Sequence, residues 1–147
     1  MSTKPEGEPA HPELVLVDTS VWVQFFRLPA SREAIHLDDL LSVGPVATCA
    51  PIRAEVVSGA PSVRVFRQLR EHFSALAMLD VPSDLWGRLE EHRFTLARRG
   101  YQASLVDLMV AQTASLHGAA LWTLDKDFQP IASVIPLRFY RAQTLVR

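Results

Sequence analysis

The sequence has one cysteine, no long apolar run and almost no net charge. Cys49 has no second cysteine to pair with, and a chain with one thiol fits a reducing cytosol. No stretch approaches the roughly 20 apolar residues that a membrane-spanning helix needs, and residues 1–13 have no apolar signal-peptide core. We therefore expect a soluble, cytoplasmic protein that has no contact with a membrane.

Several catalytic signatures are also missing. The sequence contains no GxSxG, GxxxxGK[ST] or GxGxxG pattern, which argues against a serine hydrolase, a P-loop NTPase and a dinucleotide-binding enzyme. Its five histidines show neither an HExxH pattern nor a Cys/His spacing, so a zinc site is not expected. Only two of the 15 basic residues are lysines, and the arginines that make up the rest are planar donors suited to phosphate.

Length and composition indicate one ordinary globular domain. The 147 residues are 48% apolar and carry a formal charge of -1, so the chain can bury a core and is not expected to be disordered. Residues 1–13 are rich in proline and charged side chains. We expect a flexible tail over residues 1–13 and a single domain over residues 14–147.

From residue 14 onward, short apolar runs alternate with longer amphipathic stretches. The runs predict strands at residues 14–17, 46–49, 76–79, 120–124 and 134–137. Helical spacing and capping residues predict helices at 19–27, 31–42 and 52–58, and from 62, 83 and 104 onward. The alternation predicts an α/β sandwich whose central, mostly parallel sheet has about four or five strands.

Four acidic residues occupy positions that such a sheet brings together. Asp18 and Asp125 each follow a predicted strand, while Glu55 and Asp107 lie in the first turns of predicted helices. Sites in open parallel sheets form beyond the carboxyl ends of the strands. Clustered carboxylates are tolerated mainly around a divalent cation, and oxygen ligands favour Mg²⁺ or Mn²⁺, the ions of phosphodiester hydrolysis.

Each acid also has a simpler explanation when taken alone. Asp18 could cap the next helix, and Asp107 could be the acidic half of a capping box. Glu55 could be an ordinary solvated charge, and Asp125 and Asp127 could be turn formers. The individual positions leave these alternatives open.

Taken together, the segments that hold these acids resemble a known family. Residues 14–23, 51–59, 104–114 and 121–128 are similar, in order, to the four motifs of PIN-domain ribonucleases, specifically the VapC toxins of bacterial type II toxin-antitoxin systems. The likeness spans about residues 14–141 and implies a PIN-like three-layer α/β/α sandwich.

The resemblance also implies roles for individual residues. It makes Asp18, Glu55, Asp107 and Asp125 an acidic quartet that binds Mg²⁺, with Mn²⁺ as a substitute. Residues expected to support the quartet from nearby are Thr19, Ser20, Thr123 and Asp127. Candidates for RNA contact, chosen because they lie near motif ends, are Arg27, Arg53, Arg98, Arg99 and Lys126.

The function implied is that of a metal-dependent endoribonuclease toxin. Metal-activated water would hydrolyse RNA phosphodiester bonds, and a VapB-type antitoxin would neutralise the toxin by laying an apolar helix over the metal site. Homodimers and larger toxin-antitoxin assemblies are expected from the same resemblance. The overall charge does not exclude RNA, because residues 14–147 alone carry 14 basic and 13 acidic side chains.

Two other functions are weighed against this one. A PIN-like fold could keep its acids and serve only to bind another protein. Alternatively, Asp18 could be a phosphoaspartate acceptor at the end of the first strand. The second idea is disfavoured, because the dehalogenase-type pattern requires another aspartate at the position of Ser20.

Overall fold

The computed structural model describes residues 13–142, which form a parallel sheet covered by helices. The four strands are β1 (Val15–Val17), β2 (Val46–Cys49), β3 (Ala77–Leu79) and β4 (Ala120–Trp122). They are all parallel and stand in the order β3-β2-β1-β4. The flexible tail expected over residues 1–13 lies outside the described residues except for Glu13.

Seven α-helices accompany the sheet in the part of the chain that the structure describes. They are α1 (Thr19–Arg27), α2 (Arg32–Val43), α3 (Ala50–Ser58), α4 (Val63–Ser74), α5 (Trp86–Arg98), α6 (Leu105–Leu116) and α7 (Phe128–Ile131), with one 3₁₀ turn at Ser83–Leu85. Ser31, Ser62 and Ser104 cap α2, α4 and α6 by accepting a backbone N–H. The expected α/β sandwich with a parallel sheet is confirmed.

The core lies on strands β1, β2 and β4 and the helices packed against them. All residues of β1 and β4 are buried, as a strand covered on both faces requires. Helix α6 is buried along much of its length and contacts α3, α5, α7 and β4. Asp107 near its start therefore projects from a helix fixed on several sides.

The sequence-based prediction is wrong at the last strand. Residues 134–137 form no strand; instead, Phe139 makes a single parallel bridge to Leu121 of β4. The segment before the bridge is taken up by α7 and the turns after it, where Phe128, Ile131 and Ile135 fill the core. Val134, Ile135 and Leu137 lie in the turn and loop after α7, and a short apolar run of this kind is indistinguishable from a buried strand by pattern alone.

The topology brings four chain segments to one edge of the sheet. The chain leaves β1 at Asp18 and β4 at Thr123, and α1 begins directly after Asp18. The Asp18 amide donates to the Trp122 carbonyl over 2.8 Å, so the two strand ends are joined at the point where they finish.

Over residues 13–142, the helices are too short or too polar to cross a bilayer.

Candidate active site

Asp18 is a buried carboxylate held by two hydroxyl groups. Its side chain is 6% exposed, and Ser20 and Thr123 each donate a hydrogen bond to Oδ2 over 2.8 Å. Asp18 stands at the N-cap of α1, but its side chain makes no capping hydrogen bond. Its carboxylate is therefore directed away from the helix backbone and is not explained by capping.

The same two hydroxyls connect Asp18 to the loop that carries Asp125. The Ser20 hydroxyl accepts from the Leu124 amide at 3.0 Å, and the Thr123 hydroxyl accepts from the Asp125 amide at 3.0 Å. Each hydroxyl thus donates to the carboxylate and accepts from the backbone, which fixes its orientation. The α1 end and the β4 end of the site are joined through these side chains.

Asp125 and Asp127 form the turn that follows β4. The Asp125 side chain accepts from the Asp127 amide through Oδ1 at 2.9 Å, the arrangement of an aspartate that stabilises its own turn. Both residues are exposed. Asp125 therefore has a structural task in addition to its place beside the other acids.

Glu55 reaches the site from α3. The Thr19 hydroxyl donates to Glu55 Oε1 over 3.4 Å, which links the first turn of α1 to α3. Burial raises the pKa of Glu55, the charge of Asp18 raises it further, and the Thr19 hydrogen bond lowers it. Glu55 is thus close enough to Asp18 for the two charges to repel.

Asp107 has the most strongly raised pKa of the four acids. Its pKa is raised to about 6, first by burial and then by the charges of Asp18, Asp125 and Glu55, although a hydrogen bond involving Ser104 lowers it. Ser104 caps α6 by accepting the Asp107 amide at 3.0 Å. The charges of the other three sequence-predicted acids therefore all act on Asp107 at this edge of the sheet.

The donor set suits a hard divalent cation, although the side chains are not arranged as a finished ligand sphere. No three Asp, Glu, His or Cys side chains among residues 13–142 stand ready to share an ion. Every candidate ligand is nevertheless a carboxylate oxygen, the type that Mg²⁺ and Mn²⁺ prefer. Asp18 Oδ1 accepts no hydrogen bond from a described residue, so this oxygen has a lone pair to offer.

The candidate RNA-binding residues lie on several different elements of the fold. Arg27 lines a groove together with Glu55, Arg53 lies on α3 two residues before Glu55, and Lys126 lies between Asp125 and Asp127. Arg98 and Arg99 are exposed at the end of α5, where Arg99 donates to the Ser133 hydroxyl over 3.2 Å.

Tyr101 is a site residue that sequence reasoning missed. It lies in the loop between α5 and α6 and donates its hydroxyl hydrogen bond to Asp127 Oδ1 over 3.2 Å. Burial raises its pKa, as do the charges of Asp127, Asp125 and Asp107 in turn. A lone tyrosine 26 residues before its partner leaves no local pattern that could have identified it.

A large apolar groove has Glu55 in its lining. It encloses about 1130 Å³ between α1, α3 and α4. Its lining includes Val23, Phe26, Val65, Leu69 and Ala75, with Arg27 and Glu55 as charged members. The groove and the acidic site therefore share one residue.

Cys49 behaves as a small core residue. It is completely buried at the end of β2, and burial raises its pKa to about 11. The thiol stays protonated at neutral pH and is not a nucleophile.

Comparison with known proteins places the chain in one family. The PIN-domain family profile matches residues 15–134. VapC ribonuclease Mb1587 of Mycobacterium bovis and ribonuclease VapC11 of Mycobacterium tuberculosis are each 33% identical over 129 residues, which cover 85% of this chain and 96% of the relative.

Solved structures show the same fold. A toxin-antitoxin complex from Klebsiella pneumoniae contains a chain that is 26% identical with a TM-score of 0.57, covering 85% of this chain and 99% of that one. VapBC2 from Rickettsia felis, bound to a promoter DNA fragment, has a chain that is 19% identical with a TM-score of 0.67, covering 86% and 96%. By the profile match and the 33% identity, the protein belongs to the PIN-domain family and, within it, to the VapC ribonucleases.

Proposed function

We propose that the protein is a magnesium-dependent endoribonuclease that acts as the toxin of a toxin-antitoxin pair in the cytoplasm. The observation that carries this proposal is the buried, hydroxyl-held Asp18 among mutually repelling carboxylates at the edge of a parallel sheet. Family membership supplies the reaction, because the relatives at 33% identity are named as ribonucleases.

The acids of this site would hold the cation. Asp18, Glu55 and Asp107 are the principal ligands in our proposal, and Asp125 completes the quartet from its exposed turn. Bound Mg²⁺, which Mn²⁺ can replace, supplies charge neutralisation at the phosphodiester and an acidified water molecule. The raised pKa of Asp107 is consistent with this role, because an empty anionic site is unfavourable until a cation offsets its charge.

The chain's own residues position the reacting groups. Ser20 and Thr123 fix one oxygen of Asp18 and so orient the other, while Thr19 restrains Glu55. Asp107 retains a proton on its carboxyl group below about pH 6 in the metal-free protein. Candidates for contacts with the RNA phosphates are Arg27, Arg53, Arg98, Arg99 and Lys126. Arg27 lines the groove that Glu55 also lines, and Lys126 lies between Asp125 and Asp127.

The groove between α1, α3 and α4 is the proposed antitoxin site. Its apolar lining suits one face of an amphipathic helix from a VapB-type partner. Because Glu55 belongs to both the groove and the acidic site, a helix seated there would cover the entrance to the site. Several of the related solved structures are themselves toxin-antitoxin complexes.

A second exposed apolar surface, on α5 and the start of α6, is the proposed homodimer contact. Trp86 is 51% exposed and Phe94 is 68% exposed, and both line a shallow pocket with Leu105. Glu90 and Arg93 lie in the same pocket, so a twofold axis could bring opposite charges together. Tetrameric or larger toxin-antitoxin assemblies would require both surfaces at once.

Removing an acidic ligand should abolish cleavage. We expect purified protein to cleave single-stranded RNA in Mg²⁺, to lose activity in EDTA and to regain it with Mg²⁺ or Mn²⁺. Asp18→Asn and Asp107→Asn should each lower the cleavage rate by more than about 100-fold, since even residues behind metal ligands cost 10–100-fold. Asp39→Asn, a change at an exposed acid on α2, is the matched control. Cleavage that persists in either site variant would refute the proposal.

The same Asp107 change should stabilise the metal-free protein. The folded pKa of about 6 lies above the ordinary aspartate value of 3.8, so the folded state binds more protons between these pH values and the free energy of unfolding falls as pH rises through them. In EDTA at pH 8, Asp107→Asn should raise this free energy by about 1 kcal/mol, allowing for the residue's partial exposure.

Urea unfolding of Asp107→Asn and Asp39→Asn at pH 5 and pH 8 would measure this effect. The gain should shrink at the lower pH. Adding Mg²⁺ should reverse the ranking at pH 8, because only the wild-type protein gains stability by binding the ion. An Asp107→Asn variant that is no more stable than wild type in EDTA would contradict the assigned repulsion.

A charge in the groove should prevent neutralisation and leave cleavage intact. Val23 is 37% exposed and lines the groove, whereas Val43 is 73% exposed on α2 and is not part of it. Val23→Glu should weaken antitoxin binding by at least about tenfold, because a carboxylate would be buried against an apolar helix. Val43→Glu should bind normally. Calorimetry with the partner measures both, and equal affinities would exclude this groove.

A charge on the α5 surface should dissociate the dimer. Phe94→Glu places a carboxylate in the centre of the proposed interface, so light scattering should report a monomer at concentrations where wild type is dimeric. Val63→Glu, at a residue 66% exposed on α4, should leave the dimer intact. A Phe94→Glu dimer would place the interface elsewhere.

A further inference from the structure

The turn that carries Asp125 depends on two hydrogen bonds from distant parts of the chain. Most of its hydrogen bonds are local. The Asp125 amide donates to Thr123 Oγ1, and the Asp127 amide donates to Asp125 Oδ1. From farther away, Ser20 accepts the Leu124 amide and holds the start of the turn, and Tyr101 donates to Asp127 and holds its end. An exposed turn with only local bonds would be free to shift as a unit.

Tyr101 is itself firmly anchored. Its amide donates to the Leu96 carbonyl over 2.8 Å at the end of α5, directly after Gly100, whose φ of +84° allows the chain to reverse there. Its ring packs against the hydrophobic core, and Arg93 donates to the Ala103 carbonyl and restrains the same loop. The hydroxyl group is thus presented from a fixed point just before α6.

The chemistry of this contact also suits a hydrogen bond from the phenol to the carboxylate. Burial raises the pKa of Tyr101, and the neighbouring carboxylates raise it further, so the phenol keeps its proton at neutral pH and can donate. Asp127 accepts through a carboxylate oxygen, and hydrogen bonds to charged acceptors are stronger than neutral ones. The bond joins the loop that leads into α6, which carries Asp107, to the turn that carries Asp125.

We propose that Tyr101 is a positioning residue for the ribonuclease site: through Asp127, its hydroxyl group fixes the Asp125 turn relative to the start of α6. This proposal rests on the proposed nuclease function but concerns a residue outside the acidic quartet. Tyr101 acts on the reaction only through the placement of Asp125 and Lys126, and it need not contact the RNA.

The first test uses the metal-free protein and does not require activity. In EDTA, NMR-detected exchange of the Asp127 amide should accelerate by at least about tenfold in Tyr101→Phe, because the restraint on the end of the turn is gone. The Leu124 amide, held by Ser20, should change much less. Tyr140→Phe is the matched control, because that phenol bonds to His36 on α2 at 2.6 Å. It should leave the turn as in wild type.

The second test separates placement from simple stability. Tyr101→Phe should lower kcat by about tenfold while KM for RNA changes less than about twofold, as for other residues that orient a metal ligand. Asp127→Asn keeps an acceptor oxygen and should lose less activity than Asp127→Ala. The double variant Tyr101→Phe/Asp127→Ala should be no less active than the less active of the two single variants, because both substitutions remove the same hydrogen bond.

The outcomes distinguish the possibilities. Faster exchange at Asp127 together with a lower kcat and non-additive variants supports the proposal. If the Asp127 amide exchanges at the wild-type rate in Tyr101→Phe, the proposal is overturned. Faster exchange with unchanged kcat would show that the bond only stabilises the turn, and this result also overturns the proposal. If wild-type protein cleaves no RNA in Mg²⁺, the nuclease function fails, and the role of Tyr101 in that reaction fails with it, even where the exchange measurement shows that the bond holds the turn.

Discussion

Repulsion between carboxylates at one edge of a parallel sheet is the constraint on which the site depends. Parallel strands end on the same side, so the residues that follow β1 and β4 must lie together whatever their charge. Here those residues include Asp18 and Asp125, and α3 and α6 add Glu55 and Asp107. Asp18 is almost fully buried, so its charge is poorly screened and reaches the other acids.

The surrounding polar groups restrain this repulsion without removing it. Ser20 and Thr123 satisfy one oxygen of Asp18, and they are themselves satisfied by backbone amides. The hydroxyls are neutral, and no lysine or arginine side chain forms an ion pair with the four acids within residues 13–142. The excess negative charge is therefore left for a ligand to balance. This distinguishes the cluster from a structural salt-bridge network, in which the protein supplies its own counter-charges.

Sequence reasoning succeeded where the pattern was local and repeated. The buried strand before Asp18, the serine caps and the alternation of strands and helices were all predictable, because each depends on residues within a few positions. It failed at residues 134–137, a short apolar run that resembles a buried strand but forms the turn and loop after α7. Tyr101 was unpredictable for a different reason, because only the tertiary structure brings its hydroxyl group to Asp127.

The clustering of carboxylates requires a well-packed core beneath the site. Burying Asp18 and raising the pKa of Asp107 both cost stability in the metal-free protein. Completely buried residues of β1, β4 and α6 lie directly behind these acids, and their apolar contacts offset that cost. A looser core would let the acids move apart and relieve the repulsion, but their clustering at one edge of the sheet would be lost with it. Tight packing behind the site therefore preserves the unfavourable charge arrangement that a divalent cation would neutralise.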